Sequence, residues 1–331
     1  MKYKNTFMRF APVQICVLTC WWLNPHAALA QETTFPSRTV QIVVPYTPGT
    51  GADILARILG PRLAERWKTG VITDNRAGAT GNIGTDFVAK AVPDGHTVLF
   101  TATSFGTTPA LTAKLPFDPA RSFAPVSLVA TSSMSLVVHP QLPVKSLKDF
   151  IALAQRLPGK LLYCSPGNGG PQHLAMELIK LETKTDLVHV PYKGSGGALT
   201  DLMGGHVQAM VVSLQTVAPF VQNGRLRMLA VMGAERSNAF PNVPTLKEQG
   251  LPNLEVETWY GVLAPAATPP AAIAKINAEL HALLQLPDIR EQLARQGMNA
   301  AGGTPERLGN LVKSELARWA RVVNAAKIKA D

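Results

Sequence analysis

The stretch from Thr39 to Asp53, TVQIVVPYTPGTGAD, sets the fold class of this chain. Its first part is rich in β-branched residues and predicts a buried strand, after which Tyr46–Gly51 is a turn containing glycine and proline. From Asp53 to Trp67 apolar residues recur at nearly helical spacing, so a helix follows, which Pro61 should kink or end. A strand, a Gly-rich turn and a helix in this order form the repeating unit of an α/β protein.

The same unit recurs along the chain. Strands are predicted at 71–74, 97–101, 124–129, 135–139, 160–165, 186–192, 208–213, 227–232 and 255–264, most of them followed by helices. Ser146 and Asp149 resemble a capping box that opens one of these helices. The C-terminal helices follow no new Gly-rich turn, so we expect them to complete the first lobe. The prediction is a two-lobed α/β fold, each lobe a mostly parallel sheet flanked by helices: residues 31–130 and 255–331 form lobe 1, and 131–254 form an inserted lobe 2.

The N-terminus has the layout of a cleaved signal peptide. It contains, in order, three cations, an apolar run and a small-residue site: Lys2, Lys4, Arg9, Phe10–Leu23 and Ala28–Ala30. A membrane anchor is the alternative, but the run is shorter than the roughly 20 residues of a span and Gln14 interrupts it. A lipid anchor on Cys20 is disfavoured because Thr19 precedes it. We therefore expect cleavage near Ala30 and a mature periplasmic chain.

Charge and cysteine content exclude several classes of protein. The formal charge of +10 falls to +7 when the three signal cations are removed, which favours anionic solutes mildly. The cations are scattered without interleaved aromatic residues, so we expect no nucleic-acid partner. Cys16 and Cys20 leave with the signal, and Cys164 is then alone; we interpret it as a small buried strand residue rather than a catalytic thiol.

Four Gly-rich turns are candidate binding loops. They lie at Pro48–Asp53, Arg76–Gly84, Ser165–Gly170 and Tyr192–Gly197. A turn that leads from a parallel strand into a helix presents free main-chain N–H groups and the positive end of the helix dipole, which favour carboxylate and phosphate groups. The alternative is that the glycines only close tight turns. Two turns fall in each predicted lobe, so both lobes would face one cleft.

Motifs for nucleotides, metals and hydrolytic catalysis do not occur. Gly49-Thr-Gly51 lacks the third glycine of a dinucleotide fingerprint, and no turn ends in Gly-Lys-Ser/Thr. Asp53 and Asp201 are each predicted to open a helix, where capping is favoured over ligand contact. For His173, beside a Gly-rich turn, ligand contact and a solvated ring remain alternatives. We expect no metal, no cofactor and no catalytic residue.

Several segments, taken together and in order, resemble the Bug family, the periplasmic receptors of tripartite tricarboxylate transporters. The segments are VPYTPGTGAD at 44–53, DNRAGATGNIG at 74–84, FAPVSLV at 123–129, SPGN at 165–168, VPYKG at 190–194 and ALTDLMGG at 198–205. The likeness spans nearly the whole mature chain. Thr50 departs from the family pattern, which commonly has glycine there, and Ala77 stands where proline is frequent.

The resemblance implies a type II-like periplasmic-binding-protein fold with a ligand held in the cleft between the lobes. The implied ligand-binding residues are Tyr46, Gly49, Thr50, Gly51, Asp53, Thr103, Ser104, Ser165, Gly167, Asn168, Tyr192, Lys193, Gly194 and Ser195. Asp201 is added as a candidate because of its predicted place at a helix start. The expected function is capture of a small carboxylate by lobe closure and delivery to a membrane permease, with the receptor a monomer. A sensory receptor that signals to a membrane kinase and an exported enzyme acting on a small acid are the alternatives.

Overall fold

In the computed structural model, the opening strand and helix lie where the pattern predicts them. The structure describes residues 1–3, 35–112, 114–192 and 194–328. Almost all of the predicted signal peptide, from Lys4 to Ala30, and the predicted ligand residue Lys193 lie outside these residues. Among the described residues, no helix is both long enough and apolar enough to cross a bilayer.

Strands and helices alternate through most of the chain. The strands are β1 (Val40–Val44), β2 (Val71–Asn75), β3 (Thr97–Ala102), β4 (Phe123–Val138), β5 (Leu162–Ser165), β6 (Val188–Pro191), β7 (Ala209–Ser213), β8 (Arg227–Val231), β9 (Glu257–Pro265) and β10 (Asn299–Ala300). The helices are α1 (Gly51–Trp67), α2 (Asn82–Ala89), α3 (Ser104–Leu111), α4 (Leu147–Arg156), α5 (Pro171–Thr183), α6 (Ser195–Met203), α7 (Leu214–Gln222), α8 (Pro270–Leu284), α9 (Pro287–Arg295) and α10 (Pro305–Ala326). The predicted α/β pattern is confirmed.

The strands form two groups that share β4. The order is β2-β1-β3-β9-β4-β7-β5-β6, with β8 and β10 also paired to β4. Residues Phe123–Ser133 of β4 pair with β9, and Met134–Val138 pair with β7. We call β2, β1, β3, β9 and the first part of β4 the first strand group, and the rest of β4 with β7, β5, β6 and β8 the second strand group. In each group the strands that lead into Gly-rich turns are parallel, while β4 and β9 are antiparallel to their neighbours.

The strand β4 is one element of 16 residues, although its sequence reads as two strands. Pro125 lies inside it, at a point where the register with β9 shifts. Proline lacks the N–H that a regular ladder needs, and such an irregularity tolerates the loss. The chain therefore passes from one strand group to the other without a break.

The closing helices α8 and α10 carry apolar residues at nearly helical spacing, and these residues face the core. Ile276, Leu280 and Leu284 of α8 and Leu308 and Trp319 of α10 are buried. The capping box at Ser146 and Asp149 is also present.

Three local predictions need correction. The helix α1 does not end at Pro61 but continues through it to Trp67, and Pro61 and Arg57 lie on its exposed face. The pair Thr268-Pro269 predicts a helix with Thr268 as its N-cap and proline in its first turn. The N-cap of α8 is instead Pro269, since a residue before proline is driven to extended backbone and Pro270 follows it. The sequence also fails to indicate α3, α9 and β10.

Candidate functional site

A cavity of about 460 Å³ opens between the two strand groups. From the β1–α1 loop it is lined by Pro45, Tyr46, Thr47, Thr50, Gly51 and Ala52. Further lining residues on this side come from the turn before α2 and from the end of β3: Ala77, Gly78, Thr80, Gly81, Ala102, Thr103 and Ser104. The second strand group contributes Pro171, Gln172 and Ser213, and β9 contributes Thr258 and Tyr260.

Asp53 stabilises the conformation of the β1–α1 loop through hydrogen bonds. Its carboxylate is buried and accepts hydrogen bonds from the Gly49 N–H (2.8 Å), the Arg57 Nε (3.0 Å) and the Asn75 side-chain amide (2.9 Å). Burial by itself would raise the pKa of Asp53, but these hydrogen bonds and the Arg57 charge outweigh it, so the pKa lies below the ordinary value. Asp53 lies in the first turn of α1, as predicted, but the N-cap is Thr50, and the Asp53 carboxylate accepts the Gly49 N–H of the preceding loop rather than an N–H of the helix.

Tyr46 joins this loop to the start of α3. Its hydroxyl is 2.9 Å from the Thr101 hydroxyl and 2.6 Å from the Ser104 hydroxyl. Burial raises the pKa of Tyr46 although these hydrogen bonds act in the other direction. Thr103 is buried, and its hydroxyl accepts the main-chain N–H of Trp259 at 2.8 Å. The first wall of the cavity is therefore fixed by bonds between its own side chains.

Five helices begin at the cavity wall. Thr50–Ala52 starts α1, Gly81 precedes α2, Ser104 starts α3, Gln172 lies in the first turn of α5, and Ser213 is the N-cap of α7. In α1 the N–H groups of residues 51–53 have no acceptor among the described residues, because the first helical bond runs from Ile54 to Thr50. Every described lining residue is uncharged. An anion in the cavity would therefore be bound by helix N-termini and neutral donors.

The predicted ligand residues divide into three sets in the structure. Five line the cavity: Tyr46, Thr50, Gly51, Thr103 and Ser104. Gly49 and Asp53 lie behind it and support the loop. The third set, from the second strand group, lies away from the described cavity lining: Ser165, Gly167, Asn168, Tyr192, Gly194, Ser195 and Asp201. The ligand contacts of all three sets remain a prediction.

The loops of the third set are bonded to each other. The Tyr192 N–H donates to the Ser165 carbonyl at 3.0 Å, and the Gly194 N–H donates to the Pro166 carbonyl at 2.8 Å. Ser165 also bonds through its hydroxyl to His189 Nε2 at 2.7 Å. These loops form one connected patch at the carboxyl ends of β5 and β6.

One prediction about a single residue is wrong. Asp201 does not open a helix: it lies near the end of α6, because the helix begins at Ser195, and it accepts a hydrogen bond from the Tyr192 hydroxyl. Of the two alternatives for His173, the solvated ring is excluded: the ring is buried against His189, with centroids 3.7 Å apart, and its Nδ1 accepts the Gly169 N–H at 2.9 Å. Cys164, by contrast, is a buried strand residue as predicted, and burial raises its pKa to about 12.

Thr50, the departure from the family pattern, uses its hydroxyl inside the loop. The group donates to the Thr47 carbonyl at 3.0 Å. The substitution therefore adds a hydrogen bond to the turn.

Sequence reasoning missed seven residues of the described wall: Pro45, Ala102, Pro171, Gln172, Ser213, Thr258 and Tyr260. No motif marks the last four of these. The turn at 76–84, which the sequence marks as a candidate binding loop, contributes Ala77, Gly78, Thr80 and Gly81 to the lining, although none of these is among the individually predicted ligand residues. Ser213 could have been found from its position, because it ends one predicted strand and directly precedes a helix.

Two strand groups, a shared crossing strand and an interposed cavity lined by helix N-termini define a two-lobed solute-binding protein. The family model of the "Tripartite tricarboxylate transporter family receptor" matches residues 55–328. The chain belongs to this family.

Similarity to individual proteins supports the same family assignment. The chain is 36% identical to Protein BugT of Bordetella pertussis over 307 residues, which cover 92% of this chain and 94% of BugT. It is 35% identical to an R. palustris protein solved with adipate, at a TM-score of 0.74, covering 89% of this chain and 99% of that chain. It is also 32% identical to MatC from Rhodopseudomonas palustris with bound malate, at a TM-score of 0.71, and the match covers 87% of this chain and 100% of MatC. The chain is thus a solute-binding receptor of the tripartite transporter type.

Proposed function

We propose that this receptor captures a small carboxylate in the cavity of about 460 Å³ and delivers it to a membrane permease of a tripartite transporter. The observation that carries the proposal is the convergence of five helix N-termini on a cavity whose described lining is uncharged. Helix N-termini bind anions through free N–H groups and the dipole. The adipate and malate complexes of the two relatives support a carboxylate as the ligand class.

The receptor is proposed to act by closure and to perform no chemistry. Residues 31–130 with 255–331 form lobe 1, residues 131–254 form lobe 2, and the crossing at Ser133–Met134 of β4 is where they would rotate. The patch at 165–168 and 192–195 would move onto a ligand that already contacts the β1–α1 loop. The closed form is then stabilised because only it lets the ligand touch both lobes.

Location and assembly follow from the same proposal. The basic, apolar and small-residue pattern of the N-terminus supports export to the periplasm, with cleavage near Ala30. We propose a monomeric receptor whose macromolecular partner is the permease.

A thermal-shift screen of residues 31–331 tests the proposal. The panel contains adipate, malate, succinate, benzoate, amino acids and neutral aromatic solutes, and mass spectrometry identifies anything that remains bound after purification. A ligand at 100 times its dissociation constant adds about 2.7 kcal/mol to the native state, which gives a clear shift. A shift with carboxylates, recovered unchanged, is expected. No shift with any carboxylate, or recovery of a converted product, would reject the proposal.

A further inference from the structure

Tyr260 of β9 has a buried side chain that ends in the cavity wall. The residue is 9% exposed and lines the cavity. Its hydroxyl has no hydrogen-bond partner among the described residues. The Tyr46 hydroxyl in the same cavity is bonded to Thr101 and Ser104. Buried tyrosine hydroxyls usually find a partner, so an unpaired one in a cavity wall is available to a ligand.

The phenol end of Tyr260 lies directly over the first residue of α1. A β-carbon placed on Gly51 would lie 2.7 Å from Cζ and 2.8 Å from Cε1 of the Tyr260 ring, so only glycine leaves room there. The N–H groups of Gly51 and Ala52, which have no acceptor among the described residues, belong to the same turn. The Tyr260 hydroxyl and these N–H groups therefore border the same part of the cavity.

Tyr260 is a neutral donor throughout the physiological range. Burial, reinforced by the neighbouring Tyr46, raises the pKa of Tyr260 to about 12. The hydroxyl consequently keeps its proton and can donate it to an oxygen of a bound solute.

We propose that Tyr260 is a specificity-determining residue that donates a hydrogen bond to the ligand carboxylate at the N-terminus of α1 and helps the site to choose a carboxylate over a carboxamide. The inference rests on the proposed function. Main-chain N–H groups only donate, so a carboxylate, which only accepts, can satisfy them together with the hydroxyl. A carboxamide has only one accepting oxygen, so its NH2 group faces either a main-chain N–H, which cannot accept, or the Tyr260 hydroxyl, which can accept only by giving up the bond it would donate. Either arrangement leaves one hydrogen bond fewer than the carboxylate makes, and a buried polar group left unpaired is penalised.

Calorimetric titration of wild type and Tyr260→Phe tests this inference. The probes are the carboxylate of the screening panel that wild type binds most tightly and its matched carboxamide. The variant keeps the ring that fills the wall, and we expect it to bind the carboxylate about 5- to 30-fold more weakly, with a smaller change for the carboxamide. Tyr163→Phe is the matched control, because it also loses a buried hydroxyl, here bonded to Glu177 outside the cavity lining. Its carboxylate affinity should stay within twofold.

The possible outcomes distinguish a failure of the proposed Tyr260 role from a failure of the proposed receptor function. If wild type binds a carboxylate and folded Tyr260→Phe binds it equally well, the role of Tyr260 is wrong and the receptor function stands. An equal loss for carboxylate and carboxamide would likewise overturn the selective role. If wild type binds no carboxylate of the panel, the proposed function fails and the inference fails with it. Urea unfolding of both variants establishes that any lost affinity is not lost folding.

Discussion

The two sides of the cavity hold their polar groups differently. On the first side, Asp53 accepts three hydrogen bonds beneath the β1–α1 loop, and Tyr46 bonds to the start of α3. On the second side, Tyr192 and Gly194 bond to the neighbouring loop at Ser165 and Pro166, and neither lines the described cavity. On the proposed function, the first side is a preformed anion-binding surface. The internally bonded loops of the second side would then move onto the ligand, next to Gln172 and Ser213, which already line the cavity.

The largest expected effect is a difference in the free energy of unfolding between the variants Asp53→Ala and Asp201→Ala. Asp53 is buried with three donors, and hydrogen bonds to a charged group contribute about 1.5–3 kcal/mol, so its loss should lower the free energy of unfolding by about 2–3 kcal/mol. Asp201 is half-buried and accepts one bond from Tyr192, so its loss should cost about 1 kcal/mol. Urea unfolding measures both values, and equal losses would contradict the comparison.

The Asp53 contribution should depend on pH. The folded pKa of Asp53 is depressed, so the unfolded chain binds more protons in the acid range and the stabilisation is complete only above the ordinary aspartate pKa of about 3.9. It is lost as the pH falls through the lower folded pKa. The stability difference between wild type and Asp53→Ala should therefore be constant from about pH 5 to 7 and shrink in the acid range. A difference that grows on acidification would reverse the assignment.

Glycine to alanine exchange tests the close packing of the first side. In Gly51→Ala the new methyl group meets the Tyr260 ring, and overpacking of this kind costs about 1–3 kcal/mol. Gly196 lies in the first turn of α6 on the second side, and a β-carbon placed on it would have no atom within 4 Å. Gly196→Ala should therefore stabilise the helix by about 0.5–1 kcal/mol. Relative to wild type, the thermal unfolding temperature should fall in Gly51→Ala and rise in Gly196→Ala. A tolerated Gly51→Ala would show that Tyr260 is not packed on α1.

The smallest effects concern the second side. Gln172 lines the cavity, so Gln172→Ala should weaken carboxylate binding about 3- to 10-fold in calorimetric titration. The Tyr192 hydroxyl is committed to Asp201, and burial with this bond raises the pKa of Tyr192 to about 12. Tyr192→Phe should therefore leave the affinity within twofold. A large loss in Tyr192→Phe would show that this hydroxyl changes partner on closure.

The first side was the more predictable from sequence, because its determinants are local. A β-branched run, a Gly-rich turn and an acidic residue in the first helical turn lie within 15 residues, from Thr39 to Asp53. The sequence predicts two strands in place of β4 because the polar run from Thr131 to Ser133 interrupts its apolar pattern. Its length depends on pairing with β9, more than 120 residues away in the chain.

The missed residues share one physical reason. Gln172, Ser213 and Tyr260 are ordinary side chains in their own segments and meet only because β4 and β9 bring both strand groups together. Asp201 was misplaced because the glycines at 196–197 were interpreted as a turn, whereas they lie in the first turn of α6.

Small-angle X-ray scattering of residues 31–331, with and without a saturating carboxylate identified by the screen, tests the central claim most directly. If the second side closes onto a preformed first side, the radius of gyration should decrease on binding, and Asp53→Ala should reduce the decrease at equal ligand concentration. An unchanged radius of gyration in a sample shown by calorimetry to be saturated would contradict closure.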